Sequence, residues 1–271
     1  MKAKRQLLSA PYVFWAVMFI VIPLCMIFYY GLTDRSGAFT LRNIVAIADP
    51  EHIKALWLSV LLSLVSTLLC LVLAYPLAML LTKVKNRGSL IIVLFILPMW
   101  MNSLLRTLAW QTILEKTGVL NTLLSLLHLP ALSVINTPYA IVLGMIYNFL
   151  PFMVLPVYNS LVKIDPNIVQ AAMDLGADQV AVFARVILPL SVSGIVSGVT
   201  MVFVPALTTF VISTLLGGSK ILLIGNVIEQ EFTQANNWYL GSGLSIVLML
   251  FIIVNMVLSS VFDKDGEGGI F

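Results

Sequence analysis

The chain has 271 residues, of which 60% are hydrophobic and only 10% charged, with a mean hydropathy of +1.04 and a net charge of +3. A soluble domain carries nearer a quarter charged residues, so this composition excludes an ordinary water-soluble fold and predicts an all-α integral membrane protein. The two cysteines, Cys25 and Cys70, both fall inside apolar runs, which argues against a disulfide framework or a metal site.

Six apolar runs are long enough to cross about 30 Å of hydrocarbon as helices. They are predicted at 11–31, 55–81, 90–113, 137–161, 188–216 and 240–262. None has the short alternating pattern of a barrel strand. The first run follows Lys2, Lys4 and Arg5 but is too long and proline-interrupted for a cleaved signal peptide, so it is read as a retained span. The next connection, 33–54, holds Asp34, Arg35, Asp49, Glu51 and His52 and has room for a short helix or strand. Between the second and third spans lies the basic cluster Lys83, Lys85 and Arg87. The connection 114–136 carries the run Asn121–Leu129, which reads as a short interfacial helix punctuated by Gly118 and Pro130. The loop 163–187 precedes the fifth span, the loop 217–239 follows it, and 263–271 reads as a polar, glycine-rich, disordered tail. Prolines 23, 76, 98, 151, 156 and 205 lie within the spans, where each removes a backbone hydrogen bond and invites a kink.

Basic residues orient the chain. With the N-terminus inside, the inner side carries Lys2, Lys4, Arg5, Lys83, Lys85, Arg87, Lys163, Arg185 and Lys264. The outer side carries Arg35, Arg42, Lys54, Lys116 and Lys220. The excess places both termini, and the loop 163–187, in the cytoplasm. The positive net charge belongs to these inner loops and implies no nucleic-acid partner.

That loop is the most informative stretch. From Gln170 to Pro189 it reads QAAMDLGADQVAVFARVILP, with Ala171, Ala172, Leu175, Val180, Phe183 and Ile187 recurring at three- and four-residue steps. This is the stripe of an amphipathic helix, broken at Gly176, where the backbone is free to bend. The stretch resembles the EAA motif of ABC importer permeases. Ala171, Ala172, Gly176 and the Ile187-Leu188-Pro189 ending stand in register, with Gln170 where the family has Glu. The stretches Leu97–Arg106, Leu150–Tyr158 and Gly217–Ile228 extend the likeness to the spermidine/putrescine permeases, and to the first of their two paired subunits.

The resemblance implies a six-span type I importer permease fold (MetI-like) over residues 1–262, in a cell membrane. It implies partners: an ABC ATPase homodimer, a second homologous permease and an extracytoplasmic polyamine-binding protein. The loop 163–187 would dock on the ATPase through Gln170, Ala171, Ala172, Asp174, Leu175, Gly176, Phe183 and Pro189. ATP and Mg would be bound by the partner, since this chain has no GxxxxGK[ST]. The absence of HExxH, CxxC and GxSxG leaves no catalytic residue to name and argues against an enzyme.

None of the twelve acids lies in the middle of a predicted span, which counts against a proton-driven secondary transporter. The remaining candidates for a translocation path are the polar and aromatic residues Trp100, Asn102, Ser103, Trp110, Tyr147, Asn148 and Tyr158. Belt aromatics and helix–helix hydrogen bonding are the competing readings for them. Arg106 is the one strong charge in an apolar setting and is expected near the outer interface, in a structural or gating ion pair. Two alternatives stay open: the same architecture importing another organic solute, or a stand-alone channel or secondary transporter.

Overall fold

The computed structural model describes residues 11–84 and 97–267. Lys2, Lys4, Arg5, Lys85, Arg87, residues 90–96 of the third predicted span and residues 268–271 of the tail lie outside them. Among the described residues the regular structure is helical, apart from one isolated bridge between Thr33 and Phe39. We number the main helices α1 (Pro11–Leu32), α2 (Pro50–Lys83), α3 (Ser103–Leu114), α4 (Val119–Leu126) and α5 (Pro138–Val162). Then follow α6 (Pro166–Asp174), α7 (Gln179–Leu190), α8 (Val192–Thr208), α9 (Val211–Gly217), α10 (Ile224–Thr233) and α11 (Trp238–Glu267). Several starts are fixed by local chemistry. The Asn102 side chain accepts from Leu104 N at 2.8 Å, Thr137 precedes Pro138, and the Asp165 carboxylate accepts from Asn167 N at 2.9 Å beside Pro166. These side chains satisfy backbone donors that the first helical turn leaves unpaired, and proline at the first position has no such donor to lose.

The described chain divides into two units, residues 11–54 with 227–253, and residues 55–84, 97–226 and 254–267. In the first unit the side chain of Asn43 closes the end of α1, donating to Thr33 O at 2.9 Å and Gly31 O at 3.3 Å. The ring of Tyr30 stands edge-on to Tyr239 at 5.4 Å. The Asp34 carboxylate builds the turn after α1 by accepting from Ser36 N, Ser36 Oγ and Ala38 N. Those bonds favour the charged carboxylate, and the Ser36 hydroxyl is the largest influence holding Asp34 below its ordinary value of 3.8.

In the second unit α5 is the central helix. Met153, Val154 and Val157 pack with Cys70, Ala74 and Ala78 of α2 and Val202 of α8. Further along, Ala140, Ile141 and Met145 pack with Leu62, Leu114, Ala206 and Leu216. Half of the apolar window of α5 is buried, against a third or less in the other long apolar helices.

Three expectations need correction. The second span begins at Pro50 and not at 55, because the connection before it is used up by a turn at Arg42–Val45 and a 3-10 turn at Ala46–Ala48. The fifth span is not one helix over 188–216. α7 and α8 meet at a 63° bend at Ser191, and α8 ends at Thr208 because Thr209 is extended. The last helix runs on to Glu267, past the expected start of the tail at Asp263. Among the described residues four helices are long and apolar enough to span a membrane, or five if the bent pair counts as one. Of the third predicted span, the described part is a 3-10 turn at Leu97–Trp100 followed by α3.

Candidate functional site

The loop 163–187 folds as two helices around a bend at Gly176. Gly176 has φ +89°, a left-handed conformation that glycine adopts without cost and that leaves open space where a Cβ would sit. Two hydrogen bonds close the end of α6: Gly176 N donates to Met173 O at 2.9 Å and Ala177 N to Ala172 O at 3.1 Å. This is the paired pattern of a Schellman ending, and it satisfies carbonyls that the helix end would otherwise orphan. The next helix starts at once, with the Asp178 carboxylate accepting from Ala181 N at 2.7 Å. Asp165 and Asp178 are therefore helix caps. Asp174 is exposed on the last turn of α6, and Gln170 and Ala171 are exposed beside it.

The bend puts Leu175 at the tip, 90% exposed, with Val180 73% exposed and Ala172 half-buried. Phe183 does not share that surface. Its ring packs into the core of the second unit, edge-on to Tyr75 of α2 at 5.6 Å. Phe183 and Ile187, four residues apart and so on one helix face, are both partly buried against that core, and a π-helical segment runs between them. The expected single stripe is thus divided between an exposed tip and a buried root. Pro189 lies inside α7, before the bend, and does not open a new helix. The bend itself is pinned by a residue pair that the sequence did not single out. Ser191 Oγ donates to Leu188 O at 2.9 Å, so the Tyr75 hydroxyl donates to Ser191 Oγ at 2.8 Å. A tyrosine and a serine 116 residues apart carry no sequence signal of contact.

The path candidates divide into groups. Trp110 of α3 and Tyr147 of α5 stand edge-on at 5.3 Å. Trp100, 83% exposed, and Asn102, the exposed helix cap, precede α3, and Ser103, also exposed, is its first residue. Asn148 is 3% exposed and donates to Gly144 O of its own helix at 2.9 Å, while among the described residues its Oδ1 has no hydrogen-bond partner and the side chain bridges no two helices. Tyr158 packs against the α5–α8 core and is separate from Tyr147 by three turns. Arg106 is 9% exposed, and among the described residues its Nε has no hydrogen-bond partner. Among the described residues no ion pair to Arg106 is present, so the expected pair is not found there.

No family model matches the chain. It is 36% identical, over 97% of either chain, to the spermidine/putrescine transport system permease protein PotB of Haemophilus influenzae. It is 37% identical to PotB of Escherichia coli, over 93% of this chain and 97% of that one. The fold is similar to a crystal structure of a bacterial ABC transporter involved in import of alginate, with TM-score 0.80 at 17% identity over 96% of this chain and 94% of that one. It is also similar to the MetNI methionine ABC transporter, with TM-score 0.59 at 16% identity over 79% of this chain and 95% of that one. A 17% likeness speaks to fold alone, whereas 36% identity over nearly the full length speaks to descent. This chain belongs to the family of spermidine/putrescine ABC transporter permeases named PotB.

Proposed function

We propose that this chain is one of two paired permeases of an ATP-driven importer of polyamines, delivered by an extracytoplasmic binding protein. It crosses the membrane six times with both termini in the cytoplasm. The bent loop around Gly176 docks in a cleft of a separate ATPase, which binds ATP and Mg and does the hydrolysis. The observation that carries this reading is the tip itself: Leu175 and Val180 are large, apolar and exposed on a rigidly capped bend. A leucine 90% exposed at a bend fixed by two backbone bonds is suited to fill a partner's pocket. Phe183, rooted against Tyr75, gives that tip a stiff connection to α2, so that movement of the ATPase is passed into the spans as a rigid-body shift.

The polyamine assignment draws support from the near full-length likeness to PotB proteins. The test is reconstitution of this chain with the ATPase, the second permease and candidate receptors. Spermidine-loaded receptor is expected to stimulate hydrolysis and uptake. Stimulation by a receptor for another solute, with spermidine receptor silent, would replace the substrate; uptake by this chain alone would replace the class.

A further inference from the structure

The facing helices α3 and α5 carry a strip of polar groups left without partners among the described residues. Arg106 takes part in no hydrogen bond and no ion pair there. Asn148 Oδ1 is buried and accepts nothing. The Trp110 indole N–H and the Tyr147 hydroxyl make no hydrogen bond either, although their rings meet edge-on at 5.3 Å and join the two helices. Arg106 stands one turn before Trp110, and Asn148 follows Tyr147.

This strip is deep. Asn148 is the eleventh residue of the 25-residue span α5, about 15 Å from its start at the helical rise. That is half of a hydrocarbon layer about 30 Å thick. α3 runs toward the connection 115–137 and α5 runs back from it, so Arg106, a turn before Trp110, lies at least as deep. An extended arginine spans about 7 Å at ordinary bond lengths, so its guanidinium falls short of the lipid headgroups. Arg106 is also turned from the lipid side of α3. Leu104, Leu105 and Leu108 are exposed, whereas Arg106, Thr107 and Leu114 are buried and Trp110 is half-buried. Tyr147 is 38% exposed, so this chain does not close over the strip by itself.

An unpaired charge at that depth is expensive, and such residues find a counter-charge. This chain has none to offer. Of its twelve acids, Glu115 is the nearest along α3, nine residues past Arg106 and about 14 Å away at the helical rise. Asp165, Asp174 and Asp178 belong to the loop 163–187. A polyamine cargo is itself cationic and repels the guanidinium.

We propose that Arg106 forms an ion pair with a carboxylate on a span of the second permease, and that Arg106, Trp110, Tyr147 and Asn148 mark where the two permeases meet. The guanidinium fork binds a carboxylate through two parallel hydrogen bonds. The indole N–H and the phenol supply further donors to the same partner, and Asn148 Oδ1 an acceptor. The inference rests on the paired-permease reading.

The test turns on two effects of opposite sign. In the isolated, detergent-solubilised chain the unpaired guanidinium is a burden, so Arg106→Met should raise Tm by about 2–4 °C. In membranes that also hold the ATPase and the second permease, the same variant should lower recovery of the second permease with the tagged chain at least tenfold. Arg106→Lys should keep most of that recovery. Arg106→Asp should lose it, and changing one mid-span Asp or Glu of the second permease to Arg should restore it. A second permease with no mid-span acid, or none whose reversal restores assembly, overturns the pair. So does a fall in Tm of isolated Arg106→Met, which would reveal a partner within this chain. A recovery defect seen only with anionic phospholipid present would give the charge to a lipid phosphate. Rapid reaction of Arg106→Cys, in a Cys25→Ser background, with a water-soluble methanethiosulfonate in the assembled complex would put the strip in an aqueous path; Cys70 is fully buried and stays. Either result overturns the proposal. Wild-type recovery by Arg106→Met rejects the ion pair alone, whereas a parent chain that recovers no second permease rejects the paired reading and the ion pair with it.

Discussion

Replacing Gly176 separates the shape of the loop from its chemistry. Gly176 holds φ +89°, and nothing lies within 4 Å of an added Cβ. Substitution therefore meets no steric neighbour, and the whole penalty is the intrinsic cost of a left-handed L-residue, about 1–2 kcal/mol. A β-branched residue is a stronger outlier there than alanine, and asparagine a weaker one. If the bent and unbent forms of the loop are close in energy, about 1–2 kcal/mol shifts their ratio by roughly 5–30-fold. The expected order of coupling is Gly, then Asn, then Ala, then Val. The assay is the ratio of ATP hydrolysed to spermidine imported in proteoliposomes holding the full transporter, with the Tm of the isolated permease measured alongside. Because the tip is exposed, Tm should be nearly constant across the series while the ratio rises. Equal coupling for Gly176→Val and wild type would refute the claim that the left-handed bend transmits force. So would a uniform fall in Tm, which would mean that the bend is a folding element.

Four further outcomes follow from the same geometry. Leu175→Asp should leave stability within about 0.5 kcal/mol of wild type, as for a surface site, yet abolish co-purification of the ATPase; retained binding would remove Leu175 from the interface. Phe183→Ala should destabilise the permease by about 2 kcal/mol, roughly half the cost for a fully buried ring, whereas Phe183→Leu should restore most of it; calorimetry of the detergent-solubilised chain distinguishes this root from a partner contact. Asn226 is 2% exposed and makes four hydrogen bonds, to Phe210 O, Thr214 Oγ1, Ser213 Oγ and Leu223 N, so Asn226→Ala should cost about 3 kcal/mol, read as a lower midpoint of helix loss by circular dichroism. Asp34 has its folded pKa lowered, so the turn's stability is complete above 3.8 and is lost as pH falls through the lower folded value; pepsin cleavage at 34–38 should rise over that interval in wild type, and Asp34→Asn should abolish the step.

Much of the architecture was legible in the residues because a bilayer leaves few choices. A backbone in hydrocarbon must satisfy its own hydrogen bonds, so long apolar runs become helices. The spans at 11–31, 137–161 and 240–262 are close to α1, α5 and α11 for that reason. The bend at Gly176 was legible too, since a glycine inside an amphipathic stripe marks a helix ending. The breaks at Ser191 and Thr209 were not. Hydropathy averages over both breaks, and the hydroxyl pair of Tyr75 and Ser191 that holds the first joins residues far apart in the chain.

The sequence by itself determined that the chain is helical and membrane-embedded, where its polar loops fall, and which family it resembles. The first two follow from composition and local periodicity, which each segment carries alone; the resemblance rests on the matched stretches, Gln170–Pro189 above all. Tertiary structure decided which side of the stripe each residue takes. Phe183 reads as part of the exposed tip, but it packs against the facing ring of Tyr75 and is partly buried. It likewise brought Ser160 and Ser197 to one cleft, because α5 and α8 pack closely where Gly194 and Gly198 lack side chains. A contact between distant residues depends on the packing of whole helices, and no local pattern encodes it.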